Sequence, residues 1–131
     1  MVATVRTITH LPPSAAFPVG MLRTEWISHT DGTVALALDR FAGEICRITT
    51  NPDGTLAPDA NYDVTLLDND SVDVALGTLA NRHTSTTQTV YPTVVGSGAL
   101  TDYRMAVAGL ITLTIAAAGS GKKGIITIYY R

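Results

Sequence analysis

The chain has 131 residues, a formal net charge of −2, 46% hydrophobic and 15% charged residues. That length suits one domain with a core large enough to fold without a disulfide or a metal. The charge balance excludes the basic footprint of a nucleic-acid binder, and no window reaches the ~20 apolar residues of a membrane-spanning helix. A charged fraction below the usual ~25% has two readings. Part of the surface is covered by something else, or a β protein uses Thr and Ser where a helical one uses Lys and Glu.

In chain order, residues 1–20 come first. They carry Pro12, Pro13 and Pro18 with Phe17 and few charges. Val2–Thr9 is compatible with a strand. Leu11–Pro18 is expected to be extended and unable to donate regularly to a sheet ladder. Such an arm either straps its own domain or lies across a neighbouring subunit. The opening residues lack the apolar centre of a signal peptide.

From residue 21 onward, alternation with a period of two recurs. Val34, Leu36 and Leu38 alternate with Thr33, Ala35 and Ala37. Tyr62, Val64 and Leu66 alternate with Asp63 and Thr65. Ile111, Leu113 and Ile115 alternate with Thr112 and Thr114. Each pattern predicts a strand with one buried face. In the last run, Ile125–Tyr130, both faces are apolar or aromatic, which predicts a strand that is central or covered on both sides. Thr30-Asp31-Gly32 and Gly119-Ser120-Gly121-Lys122 read as hairpin turns. Asn51-Pro52-Asp53-Gly54 and Asp68-Asn69-Asp70-Ser71 read as chain reversals. Asp73–Arg82 has helical spacing at Leu76, Leu79 and Ala80 but contains Gly77, so at most a short helical turn is expected. Thr84–Tyr103 is expected to be a long loop with one strand near Gln88–Tyr91. Strands at this spacing predict an all-β fold: a single antiparallel β-sandwich or jelly-roll-like domain over residues 21–131, preceded by the extended arm of residues 1–20.

Motifs for chemistry are sparse. Gly119–Lys123 resembles a phosphate loop but lacks the Gly six positions before Lys122 and the Ser or Thr after it. Asp68–Asp73 resembles the start of a calcium loop but lacks the ligand, glycine and glutamate that follow. Asp68 and Asp70 are better read as turn formers, with cation binding the minor alternative. His10, His29 and His83 show no metal-ligand spacing, and no nucleophile elbow occurs. Cys46, within Ile45–Ile48, is expected to be a buried, inert thiol. No catalytic, cofactor-binding or metal-binding residues are assigned, no cofactor is expected, and the chain is not read as an enzyme. Trp26 is read as a core anchor, with an interface anchor as the sharper alternative. Tyr129 and Tyr130 are adjacent on a strand and cannot both face one core. The candidate interface residues are therefore Leu11, Pro12, Pro13, Phe17, Pro18, Trp26, Tyr129 and Tyr130.

Two stretches, Asn61–Asp68 and Asp73–Arg82, together with the ending Gly109–Ile115 and Gly124–Arg131, resemble small β-rich proteins associated with the capsids of tailed bacteriophages. Trp26 with Thr30-Asp31-Gly32, and Ile48–Pro52, also have counterparts there, so the likeness runs from about Thr24 to Arg131. Ser71 stands where that group often has Gly. The resemblance implies a virion component made in the host cytoplasm: a cement or decoration protein on the capsid surface. Such a protein binds the major capsid protein across neighbouring subunits and associates with itself as a dimer or trimer. The alternative it leaves is a tail, neck or head-spike part acting as a receptor- or carbohydrate-binding β-sandwich.

Overall fold

The computed structural model describes residues 4–94 and 103–131, and among these no helix occurs. The strands are β1 (Thr4–Leu11), β2 (Gly20–Ile27), β3 (Val34–Ala37), β4 (Phe41–Pro52), β5 (Asp63–Leu67), β6 (Gln88–Val90), β7 (Thr93–Val94), β8 (Tyr103–Arg104), β9 (Ala106–Gly109), β10 (Thr112–Ala116) and β11 (Lys123–Tyr130). The fold is all-β with antiparallel pairing throughout. One sheet has the order β1-β2-β11-β4-β6, with β9 paired to the first part of β4. A second has the order β3-β10-β5, and β7 pairs β8. The part of the expected long loop between residues 94 and 103 lies outside the described residues.

The two larger sheets share one core. Leu22, Trp26, Ile48, Ile126 and Ile128 from the first meet Val34, Val64, Leu66, Leu113 and Ile115 from the second. Each is fully or almost fully buried, and burying one such side chain contributes roughly 1.5–3 kcal/mol. Alternation therefore does what it predicts: Ile126, Ile128 and Tyr130 face inward from β11, while Ile125 and Tyr129 face outward and are half-buried. β11 lies between β2 and β4, the central position that its two apolar faces predict.

Two expected hairpins are not hairpins. Thr30–Gly32 joins β2 of the first sheet to β3 of the second, and Gly119–Lys122 joins β10 of the second to β11 of the first. Both turns carry the chain across the core, and they brace each other. The buried Ser28 hydroxyl donates to the Gly119 carbonyl at 2.5 Å and accepts from the Lys122 amide at 2.9 Å. The Ala118 amide donates to the Gly32 carbonyl at 3.0 Å. A turn sequence reverses the chain in either case; only the partners of the flanking strands decide between hairpin and crossover.

The expectation for Cys46 also fails. The register of β4 on β11 slips between Tyr129–Arg47 and Tyr130–Ile45, leaving Cys46 as the extra residue. This bulge lets Ile45 and Ile48, three apart, both enter the core, and it turns Cys46 onto the partly exposed outer face. Asp73–Arg82 forms successive turns rather than a helix, with amides of Leu76, Thr78 and Ala80 each donating three residues back.

The arm is not free-standing. β1 pairs with β2 from Thr4–Ile27 to Leu11–Met21, with an irregularity between Val5 and Thr7. Residues 4–11 are thus an edge strand of the domain's own sheet, and the segment that leaves the sheet is the connection from residue 12 to residue 19.

Candidate docking surface

That connection is shaped by its prolines and one serine. Pro12 and Pro13 fix their own φ and supply no donor, so the ladder stops after Leu11. The Ser14 amide donates to the Phe17 carbonyl at 2.7 Å, and the Phe17 amide donates to Ser14 Oγ at 3.1 Å, closing a compact turn. Pro13 lies against Gly20: a Cβ at that glycine would stand 2.6 Å from Pro13 Cδ and 2.9 Å from Tyr130 Cζ. The base of the turn is therefore held down while Phe17 projects, 75% exposed.

β1 is fastened on its inner face beside this turn. His10 Nε2 shares a 2.5 Å hydrogen bond with the Tyr130 hydroxyl, and His10 Nδ1 lies 3.4 Å from Asp39 Oδ2. The Tyr130 ring packs on Phe41 with centroids 4.5 Å apart. Burial pushes the Tyr130 phenol above its ordinary range.

On the outer face, Leu11, Pro12, Ser14, Phe17, Val19 and Met21 line a cleft of about 440 Å³. Leu11 and Val19 are 58% and 48% exposed, and no charged side chain lines the cleft. Cross-strand register continues the surface: Leu11 stands opposite Met21, Met21 opposite Tyr129, and Tyr129 opposite Arg47. The Arg47 guanidinium carbon sits 4.1 Å from the Tyr129 ring centroid, a cation–π contact that bounds the apolar row with one positive charge.

Of the residues expected at an interface, Leu11, Pro12 and Phe17 converge on this cleft. Pro18 is exposed on the same connection without lining it, and Tyr129 lies on the adjoining row. Trp26 takes the core-anchor role that was its first reading, and Tyr130 is corrected to the core; each is 2% exposed. Trp26 packs over Gly124, its cross-strand partner, and tilts against Tyr62 with centroids 5.8 Å apart. Pro13, although exposed, leans against Gly20 rather than lining the cleft. Sequence reasoning missed Val19, Met21 and Arg47. The parity of β2 held the signal for Met21, because Leu22, Thr24 and Trp26 face inward.

A second cleft, of about 310 Å³, opens at the far end of the first sheet between Glu25, Asn51, Asp53 and Lys123, over Gly124. It is polar, with Glu25, Asp53 and Lys123 as the charged residues in its lining. Among the described residues, no group of three His, Cys, Asp or Glu side chains could hold a metal ion. His83 Nδ1 accepts amide hydrogens from Ser85 at 3.1 Å and Thr86 at 3.0 Å, a local turn-forming role.

No family model matches the chain, and no curated protein matches it. Among solved structures, the crystal structure of FlhE is similar, with a TM-score of 0.42 and 9% identity over 86% of this chain and 97% of that one. A likeness at that level assigns no function to this chain. The expectation of a capsid cement, decoration or head-spike protein and of a virion location finds no support in these comparisons and is withdrawn. The motifs behind the resemblance have a structural use. The Asp63 carboxylate accepts the Asn81 amide at 2.8 Å. Asp68 Oδ1 accepts the amides of Asp70 and Val72 at 2.9 and 3.0 Å. Asp73 accepts those of Leu66, Ala75 and Gly77 at 2.8–3.1 Å. These stretches encode a turn module, and turn modules serve many functions.

Proposed function

We propose that this chain is an interaction module that works by docking its outer apolar surface onto another protein surface, and not by catalysis. One observation carries the reading: Leu11, Phe17 and Val19 are exposed together and converge with Met21 on one uncharged cleft. A single exposed apolar side chain is ordinary on a monomer, but a contiguous apolar patch on a rigid scaffold marks a binding surface. Pro13, Gly20 and the Ser14–Phe17 turn supply the rigidity, which reduces the ordering cost of association. The test replaces Phe17 with a photoreactive benzophenone side chain in the producing cells, with Thr30 at the opposite end of β2 as control. The expected result is covalent protein adducts from position 17 well above those from position 30. Equal yields, or none, would sink the reading.

A further inference from the structure

We infer that two copies of this chain exchange β1, each copy's β1 taking the other's place at the edge of β2. The inference goes beyond the docking reading and does not rest on it. The slot that β1 fills is specific. Its ladder on β2 runs in register from Thr4–Ile27 to Leu11–Met21. Ile8 packs on the core, and His10 meets both the Tyr130 hydroxyl and the Asp39 carboxylate. An incoming strand must present an apolar side chain and, two residues on, an imidazole. The β1 of a second copy meets those demands by identity. The exchanged state therefore repeats contacts already present, which makes exchange of an identical element a low-cost route to a dimer.

The connection after β1 supplies the reason to exchange. Along the path of the first sheet, β1 and β2 are the one pair of neighbours consecutive in the chain, so residues 12–19 must reverse it. They read Pro-Pro-Ser-Ala-Ala-Phe-Pro-Val, without the Gly, Asn or Asp that tight hairpins favour. Ala15 and Ala16 form the tip, and neither adopts the positive φ of a turn matched to strand twist. Pro12, Pro13 and Pro18 push the residues before them toward extended backbone. The turn is closed by the two hydrogen bonds between Ser14 and Phe17. Extended, these residues span roughly 25 Å, about five strand spacings, enough to carry β1 to a neighbouring copy. Exchange removes the reversal and keeps the strand contacts. Against it stands the effective concentration of a tethered strand, on the order of millimolar. The exchanged dimer therefore gains ground near millimolar protein, and it reverts slowly because β1 must detach.

Cysteines placed in separate chains test this. Thr9 and Arg23 are cross-strand partners and both are exposed. Thr9→Cys and Arg23→Cys are made in different chains, each also carrying Cys46→Ser. The two chains are unfolded, mixed, refolded at about 1 mM and oxidised. The expected product is a disulfide between position 9 of one chain and position 23 of the other. It should exceed by about 10-fold or more the link formed by Thr9→Cys with Thr49→Cys, a control on β4. Ala15→Asn with Ala16→Gly, the sequence of a favoured hairpin turn, should cut the product about 10-fold with an unchanged circular dichroism spectrum. A chain wholly monomeric by sedimentation after refolding at about 1 mM overturns the inference. So does a product no stronger than the control, where the same two cysteines in one chain close a disulfide. A product untouched by the Asn-Gly turn overturns it too, because the connection then does not drive exchange. A dimer without the disulfide between positions 9 and 23 would belong to another surface, removing the exchange while leaving the docking reading standing.

Discussion

Trp26 and Gly124 show how one pair of residues sets local packing. They are cross-strand partners on the inner face, and a Cβ at Gly124 would stand 2.6 Å from Trp26 Cζ2. Glycine leaves a notch in β11 that the indole fills. Gly124→Ala should force the indole to move and cost about 1–3 kcal/mol, as overpacking does, measured as a lower urea midpoint. Tyr62 gives a pH-dependent prediction. Its phenol is pushed above the ordinary range, chiefly by burial, against the opposing pull of a Thr50 hydrogen bond and the Arg82 charge. Tyr130 is pushed the same way by burial. Below pH of about 10 both phenols keep their protons, folded or unfolded. Above it the unfolded chain releases protons that the folded chain retains. The unfolded state then binds fewer protons, so stability falls as pH rises. Urea midpoints should decline from about pH 10 upward, and Tyr62→Phe should flatten part of that decline.

At the scale of elements, the joints between sheets carry most of the polar order. Ser28 is fully buried and ties both crossovers through its hydroxyl. Ser28→Ala leaves the Lys122 amide and the Gly119 carbonyl without that partner, and should cost about 1–3 kcal/mol. Asp73 holds the turns of residues 73–82 against β5, its carboxylate accepting three backbone amides. Asp73→Ala should cost about 2 kcal/mol or more, since the Leu66 amide lies on a core strand. Equilibrium denaturation reads both. Either variant retaining full stability would show that these hydrogen bonds are replaced by water. The turn chemistry at Asp68 was legible in the sequence, because Asp bonds nearby amides wherever the chain reverses; the acceptor role of Asp73 was not, since the turn pattern pointed to Asp70 beside Asp68.

For the whole molecule, the structure separates side chains that stabilise the domain from side chains exposed on its surface. Phe17→Asp alters an exposed side chain and should shift stability by less than about 0.5 kcal/mol. Ile48→Ala opens the shared core and should cost about 2–5 kcal/mol. Deleting residues 1–11 removes an edge strand, the His10–Tyr130 fastening and the packing of Ile8 on the core. It should lower the melting temperature markedly, whereas a detachable arm would leave it unchanged. Thermal scans of the three proteins side by side make the comparison.

The main strands, the faces of β5, β10 and β11, and the Asp68 turn were readable from local pattern, because alternation and local hydrogen bonding act over a few residues. Local pattern also put Leu11, Pro12 and Phe17 in one apolar, proline-containing segment. Tertiary structure alone decided which strands share a sheet, and so made crossovers of two apparent hairpins. It also decided the bulge that turned Cys46 outward and the core place of Tyr130. Those outcomes depend on register between segments as far apart as His10 and Tyr130, and no local pattern encodes a partner that distant. The outer row arises the same way: Leu11, Met21, Tyr129 and Arg47 stand in line only because β1, β2, β11 and β4 lie side by side.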